Sequence, residues 1–126
     1  MAKITNVGLF VSDLTAAKAF FEDVFDAKEH CAYNEEENNY YSFILDLSDG
    51  PRIELMTKPE IVNTKKDCNR TGWAHICIKV EGKERFDEIV AKFHAAGYEM
   101  LYEPATVGGK ECRAITFEDN VIEVCY

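Results

Sequence analysis

Four polar residues interrupt apolar, strand-like runs, and they fall into two pairs at one spacing: Asn6 and His75 stand 69 positions apart, and so do Glu54 and Glu123. One imidazole nitrogen, two carboxylates and an amide oxygen make a hard to borderline ligand set. It suits a divalent metal such as nickel, cobalt, zinc or manganese, rather than copper(I) or an iron–sulfur cluster. Water in the remaining coordination positions would be the reactive site. Taken singly, a Glu on a strand face is ordinarily solvated and a His is ordinarily hydrogen-bonded, so it is the shared spacing that singles these four out.

The same offset aligns three elements. Val7, Leu9 and Val11 fall on Ile76, Ile78 and Val80, and Ile53, Glu54 and Leu55 fall on Ile122, Glu123 and Val124. Between them Ala17, Phe20, Phe21 and Val24 fall on Phe86, Ile89, Val90 and Phe93, an i, i+3, i+4, i+7 stripe that each copy repeats. The chain is therefore two copies of one module, 1–57 and 73–126, joined by a Pro-, Gly- and charge-containing linker at 58–72 within a single domain spanning 1–126.

Each module reads as βαβββ. In the first, alternation predicts a strand over 3–11, and Ser12-Asp13 caps a helix over 14–25 that Asp26-Ala27-Lys28 ends. A strand over 29–33, a solvated acidic turn at 34–39, and strands over 40–47 and 52–57 follow. In the second, strand 74–80 leads to helix 83–95, with Gly97 as its stop. Strand 98–102 is predicted to end at Pro104, Gly108-Gly109 turns the chain, and strands 111–117 and 121–126 meet at Glu118-Asp119-Asn120. A module of roughly 60 residues with one helix on its sheet should not be stable alone.

Alternation assigns the faces. Ile76, Ile78, Ile122 and Val124 should meet the helix, which leaves His75, Cys77, Glu123 and Cys125 on the opposite face, as Asn6, Gly8, Glu54 and Met56 are in the first copy. Phe10, Tyr41, Met56 and Trp73 could line an apolar pocket, although aromatic residues at strand spacing are commonly core. Cys77 and Cys125 are read as packing groups, with a soft metal ligand or reactive thiol as the functional alternative.

Composition narrows the partners. Of 126 residues, 14 are Lys or Arg and 23 are Asp or Glu, giving a net charge of −9 that argues against nucleic acid. The field favours a cationic small molecule over an anion. No run is long enough to span a membrane, and the opening MAKITNVGLF alternates rather than resembling a signal peptide, so the expected setting is cytoplasmic. The five cysteines are odd in number and form no CxxC pair, so they are expected to be reduced thiols.

Four segments carry a resemblance: ITNVGLFVSDLTAAKAFFEDVF, RIELM, GWAHICIKV and the terminal FEDNVIEVCY. The chain resembles the vicinal oxygen chelate superfamily of glyoxalase I, bleomycin-resistance proteins, fosfomycin-resistance enzymes, methylmalonyl-CoA epimerases and extradiol dioxygenases. The resemblance implies an α+β fold in which paired βαβββ modules form a curved mixed sheet around a cleft. It places metal ligands at Asn6, Glu54, His75 and Glu123, and implies a homodimer. At the first ligand position the family has His, or Gln in some glyoxalase I enzymes. Asn6 offers the same oxygen on a side chain one methylene shorter, which lengthens the bond or admits a water bridge.

Glu54, His75 and Glu123 match glyoxalase I better than the two-His, one-carboxylate pattern of the dioxygenases and fosfomycin enzymes. The implied activity is that of a glyoxalase-type lyase or isomerase such as lactoylglutathione lyase, acting through a metal-stabilised enediolate with Glu123 as general base. The last turn, Glu118-Asp119-Asn120, departs from the family's common Asp-Pro-Asp-Gly type. Arg52 and Arg113 are the candidates by strand position for binding a substrate's carboxylates. The alternative is a metal-free ligand-sequestering protein of the bleomycin-resistance type, which the acidic charge and Asn6 favour.

Overall fold

A computed structural model describes residues 1–65, 69–107 and 110–126. The Gly108-Gly109 turn and the Cys68 thiol expected from the sequence lie outside them. The chain divides into two compact units, Met1–Asn63 and Thr64–Tyr126, a division that falls within the segment 58–72. Each unit holds one four-stranded mixed sheet and one helix, the two-module α+β architecture.

In the first unit β1 (Asn6–Phe10) leads into α1 (Leu14–Phe25), and β2 (Lys28–Glu35), β3 (Tyr40–Asp46) and β4 (Arg52–Thr57) follow, in the spatial order β1-β4-β3-β2. Of the expected Ser12-Asp13 pair it is Asp13 that caps α1, its carboxylate accepting the Ala16 N–H at 2.9 Å. Asp26 closes the helix in the left-handed region, at φ 55°. The predicted stripe faces the sheet: Ala17, Phe20, Phe21 and Val24 are buried with Leu45, Ile53 and Leu55. β2 runs two residues further than its apolar pattern suggested, because Asn34 and Glu35 pair with Tyr41 and Tyr40 before the acidic turn begins.

The second unit repeats the plan with β5 (Ile76–Lys79), α2 (Gly82–Ala95), β6 (Met100–Val107), β7 (Lys110–Phe117) and β8 (Asn120–Cys125), in the order β5-β8-β7-β6. Gly97 follows the helix at φ 78°, the left-handed position a helix stop requires. Phe86, Ile89 and Phe93 are buried with Ile115, Ile122 and Val124. One expectation is corrected: the strand does not stop at Pro104 but continues to Val107. β6 is an edge strand, and Pro104 falls where the β6–β7 register breaks between Tyr102 and Ala105, so its missing N–H interrupts no ladder bond.

The parallel pairs carry the duplication into space. Val7 pairs with Ile53 and Gly8 with Glu54, while Ile76 pairs with Ile122 and Cys77 with Glu123. Among the described residues no helix is long and apolar enough to cross a membrane.

Candidate functional site

In the first unit, strands β1 and β4 bring two of the predicted ligands together. The Asn6 Nδ2 donates to Glu54 Oε2 at 2.8 Å, and the Tyr40 hydroxyl, from β3, donates to Glu54 Oε1 at 2.8 Å. Asn6 Oδ1 accepts from Thr5 Oγ1 at 2.9 Å, so its amide turns a nitrogen, not the oxygen, toward the carboxylate. Burial and then the bond to Glu54 raise the Tyr40 phenol above its ordinary value, which keeps the donor protonated. Tyr40 is the member of this cluster that sequence reasoning missed. Its signal was its place on a strand next to β4, legible only once β3 and β4 are paired.

Replacing Asn6 with Asp would set two carboxylates face to face without an N–H between them. The expected loss is about 1–2 kcal/mol at pH 7. Such a pair takes up a proton that the unfolded chain does not hold, so the variant should regain stability as the pH falls from 7 toward 5. A denaturation series over that range checks it, and parallel losses at both pH values would contradict the pairing.

The second unit holds the other two predicted ligands. His75 Nε2 stands 3.7 Å from Glu123 Oε2. The His75 side chain is 45% exposed, whereas that of Glu123 is 10% exposed. Ala114, directly across from Glu123, and Cys112, across from Cys125, are fully buried as well. The Cys77 and Cys125 sulfurs meet at 3.5 Å on the same face. Burial, then hydrogen bonding with Cys125 and with Glu123, pushes the Cys77 thiol up.

The donor chemistry of the second pair fits a divalent ion. Two ligand atoms, each roughly 2.1 Å from one ion, lie about 3.0 Å apart at a right angle and about 4.2 Å apart when opposite. The His75–Glu123 distance of 3.7 Å lies inside that range. Among the described residues, no group of three or more His, Cys, Asp or Glu side chains gathers around one point.

The two arginines considered for a substrate's carboxylates are otherwise engaged. Arg52 Nε donates to Asp46 Oδ1 at 2.7 Å, a bond that, with His30 beside it, holds the Asp46 carboxyl below its ordinary value. Arg113 pairs with Val124 across β7 and β8 and so lies on the helix side. Its guanidinium carbon sits 5.6 Å from the Phe86 ring centre, and its Nη2 donates to Glu111 Oε2 at 3.3 Å. Of the suggested pocket residues, Tyr41 lines a shallow hollow of about 310 Å³ with Ser12, Thr57, Lys58, Pro59 and Ile61. Phe10 lies under the Lys58 ammonium at 5.6 Å, Met56 lies against Gly8, and Trp73 is exposed.

Residues 5–117 match the family model of the Glyoxalase/Bleomycin resistance protein/Dioxygenase superfamily. The chain belongs to this superfamily. Solved structures of superfamily folds align with it along almost its whole length. A glyoxylase/bleomycin resistance protein/dioxygenase domain from Frankia sp. EAN1pec is 18% identical with a TM-score of 0.83, covering 99% of this chain and 97% of that one. A mutant of the fosfomycin resistance protein FosX from Listeria monocytogenes, complexed with Mn(II) and 1S,2S-dihydroxypropylphosphonic acid, is 20% identical with a TM-score of 0.75, covering 99% and 92%. A glyoxalase I mutant from Zea mays is 18% identical with a TM-score of 0.73, covering 96% of this chain and 44% of that one. At these identities the likeness is one of fold, and a superfamily fold does not by itself choose a reaction. No curated protein matches the chain.

Proposed function

We propose that this superfamily member is a metal-dependent lyase or isomerase of the glyoxalase type, acting on a small molecule with an acidic C–H beside a carbonyl. The observation that carries this reading is the His75–Glu123 pair: a buried carboxylate facing an imidazole nitrogen at 3.7 Å, on the strand face away from α2. A nearly buried negative charge is costly unless a cation or strong donors compensate it. Manganese in the FosX structure supports a divalent ion in general.

In this reading His75 and Glu123 would hold the ion, while in the first unit Asn6 and Tyr40 orient Glu54 through their bonds to its two oxygens. Bound, the ion would polarise a carbonyl oxygen and so acidify the neighbouring C–H. Glu123, a largely buried carboxylate, would take up the proton on a carboxylate oxygen. The lactoylglutathione lyase reaction is the specific form that the resemblance suggests, and homodimeric assembly belongs to the same proposal.

One observation favours a second reading. Both oxygens of Glu54 already accept hydrogen bonds from Asn6 and Tyr40, an arrangement complete without a cation. That suits a metal-free protein that sequesters a ligand, as in the bleomycin-resistance branch. Calorimetric titration of chelator-treated protein with nickel, cobalt, zinc and manganese separates the two. Micromolar or tighter binding of one of them is expected. No binding at millimolar metal would overturn the enzymatic reading and leave the second.

A further inference from the structure

We propose that Cys77 and Cys125 form a reversible disulfide, making the strand face beside Glu123 a redox-modified site. The proposal stands on geometry within the second unit and does not depend on the metal reading.

Cys77 lies on β5 and Cys125 on β8, which run parallel. Cys77 is directly opposite Glu123 and Cys125 opposite Lys79, so the two cysteines are one diagonal step apart on the same face. A diagonal step is ordinarily wide for side-chain contact. Here it is short, and the duplication repeats it. In the first unit Gly8 and Met56 occupy the equivalent positions, and the Met56 methyl lies 2.7 Å from where a Gly8 Cβ would be. The equivalent side chains thus face each other across this diagonal in both copies, Met56 reaching Gly8 through its length. In the second copy the two side chains that meet are thiols, with sulfurs 3.5 Å apart. Bond formation requires closing that gap to about 2.05 Å, within reach of small χ1 rotations and strand adjustment.

Access favours the same pair. Cys77 is exposed and Cys125 half-buried, whereas Cys112, directly across from Cys125 on β7, is fully buried. The oxidant is a peroxide, which supplies the two oxidising equivalents that one disulfide needs. One sulfur attacks the O–O bond, giving a sulfenic acid and a water. The second sulfur attacks that S–OH, the S–S bond forms as the S–O bond breaks, and the departing oxygen leaves as a second water. Two thiols and one peroxide thus give one disulfide and two waters.

The test is intact mass and thiol counting on the full-length protein after hydrogen peroxide, with peptide mapping. The expected result is a loss of two mass units and of two alkylatable thiols, a peptide joining residues 77 and 125, and full reversal by a phosphine reductant. Cys77→Ser and Cys125→Ser should each abolish the loss, while Cys112→Ser should leave it intact. A 112–125 peptide, a loss that survives in Cys77→Ser, an intermolecular crosslink, or stable oxygen adducts without pairing would each overturn the proposal. Because the readout is mass, failure here leaves the metal titration unaffected, and failure of that titration leaves this result standing.

Discussion

Truncating Phe86 to alanine is expected to cost about 3–5 kcal/mol, the range for emptying a fully packed aromatic site. Phe86 is 1% exposed at the centre of the α2 stripe, with its ring 5.0 Å from that of Tyr126 and 5.6 Å from the Arg113 guanidinium. Removing the ring opens a cavity and also strips the buried guanidinium of its π face, a second loss of about 0.5–2 kcal/mol that the cavity range does not contain. A domain's whole stability is about 5–15 kcal/mol, so the variant should stand near the edge of folding at 25 °C. Urea denaturation with the slope held constant measures this, and Phe86→Leu, which retains most of the volume, should lose much less. A shift below 1 kcal/mol in Phe86→Ala would mean that α2 is not what covers its sheet. Phe21, on the buried face of α1 and equally buried, is the corresponding large core aromatic of the first unit and should behave alike.

The second large effect concerns the proposed ion. His75→Ala and Glu123→Gln should each weaken metal binding at least about 100-fold, which corresponds to about 2.8 kcal/mol. Glu123→Gln preserves the shape of the side chain, so its far-ultraviolet circular dichroism should match that of the unmodified protein while calorimetry shows the loss. Unchanged affinity in both variants would remove the pair from any ligand set and favour the sequestering reading. If only turnover falls in Glu123→Gln, Glu123 acts as base without holding the ion. Glu54→Gln extends the comparison to the first unit: its oxygens already carry bonds from Asn6 and Tyr40, and loss of affinity there would show that those bonds orient a ligand rather than replace one.

Much of the fold was legible because it is periodic. The stripes Ala17-Phe20-Phe21-Val24 and Phe86-Ile89-Val90-Phe93 are properties of single helices, and every member is buried except Val90, which is half-buried. Alternation in β4 and β8 separated Ile53 from Glu54 and Ile122 from Glu123 without any knowledge of neighbours. Repetition at one offset then located the four polar positions and paired them in twos. Where β6 ends was not legible from Pro104, since a proline breaks a central strand and is tolerated at an edge, and edge status belongs to the sheet.

The site divides along the same line. Residue types and spacing by themselves singled out Asn6 with His75, and Glu54 with Glu123, as equivalent polar positions in two copies of one module. Tertiary structure alone decided that Tyr40 reaches Glu54, that the Asn6 amide turns its nitrogen to that carboxylate, and that Arg113 stacks on Phe86. It also decided that Glu123 is buried and that two thiols meet beside it. The period of a strand states which face a side chain takes. Distance across that face depends on strand order, register and the size of the neighbours, none of which a single strand's pattern contains.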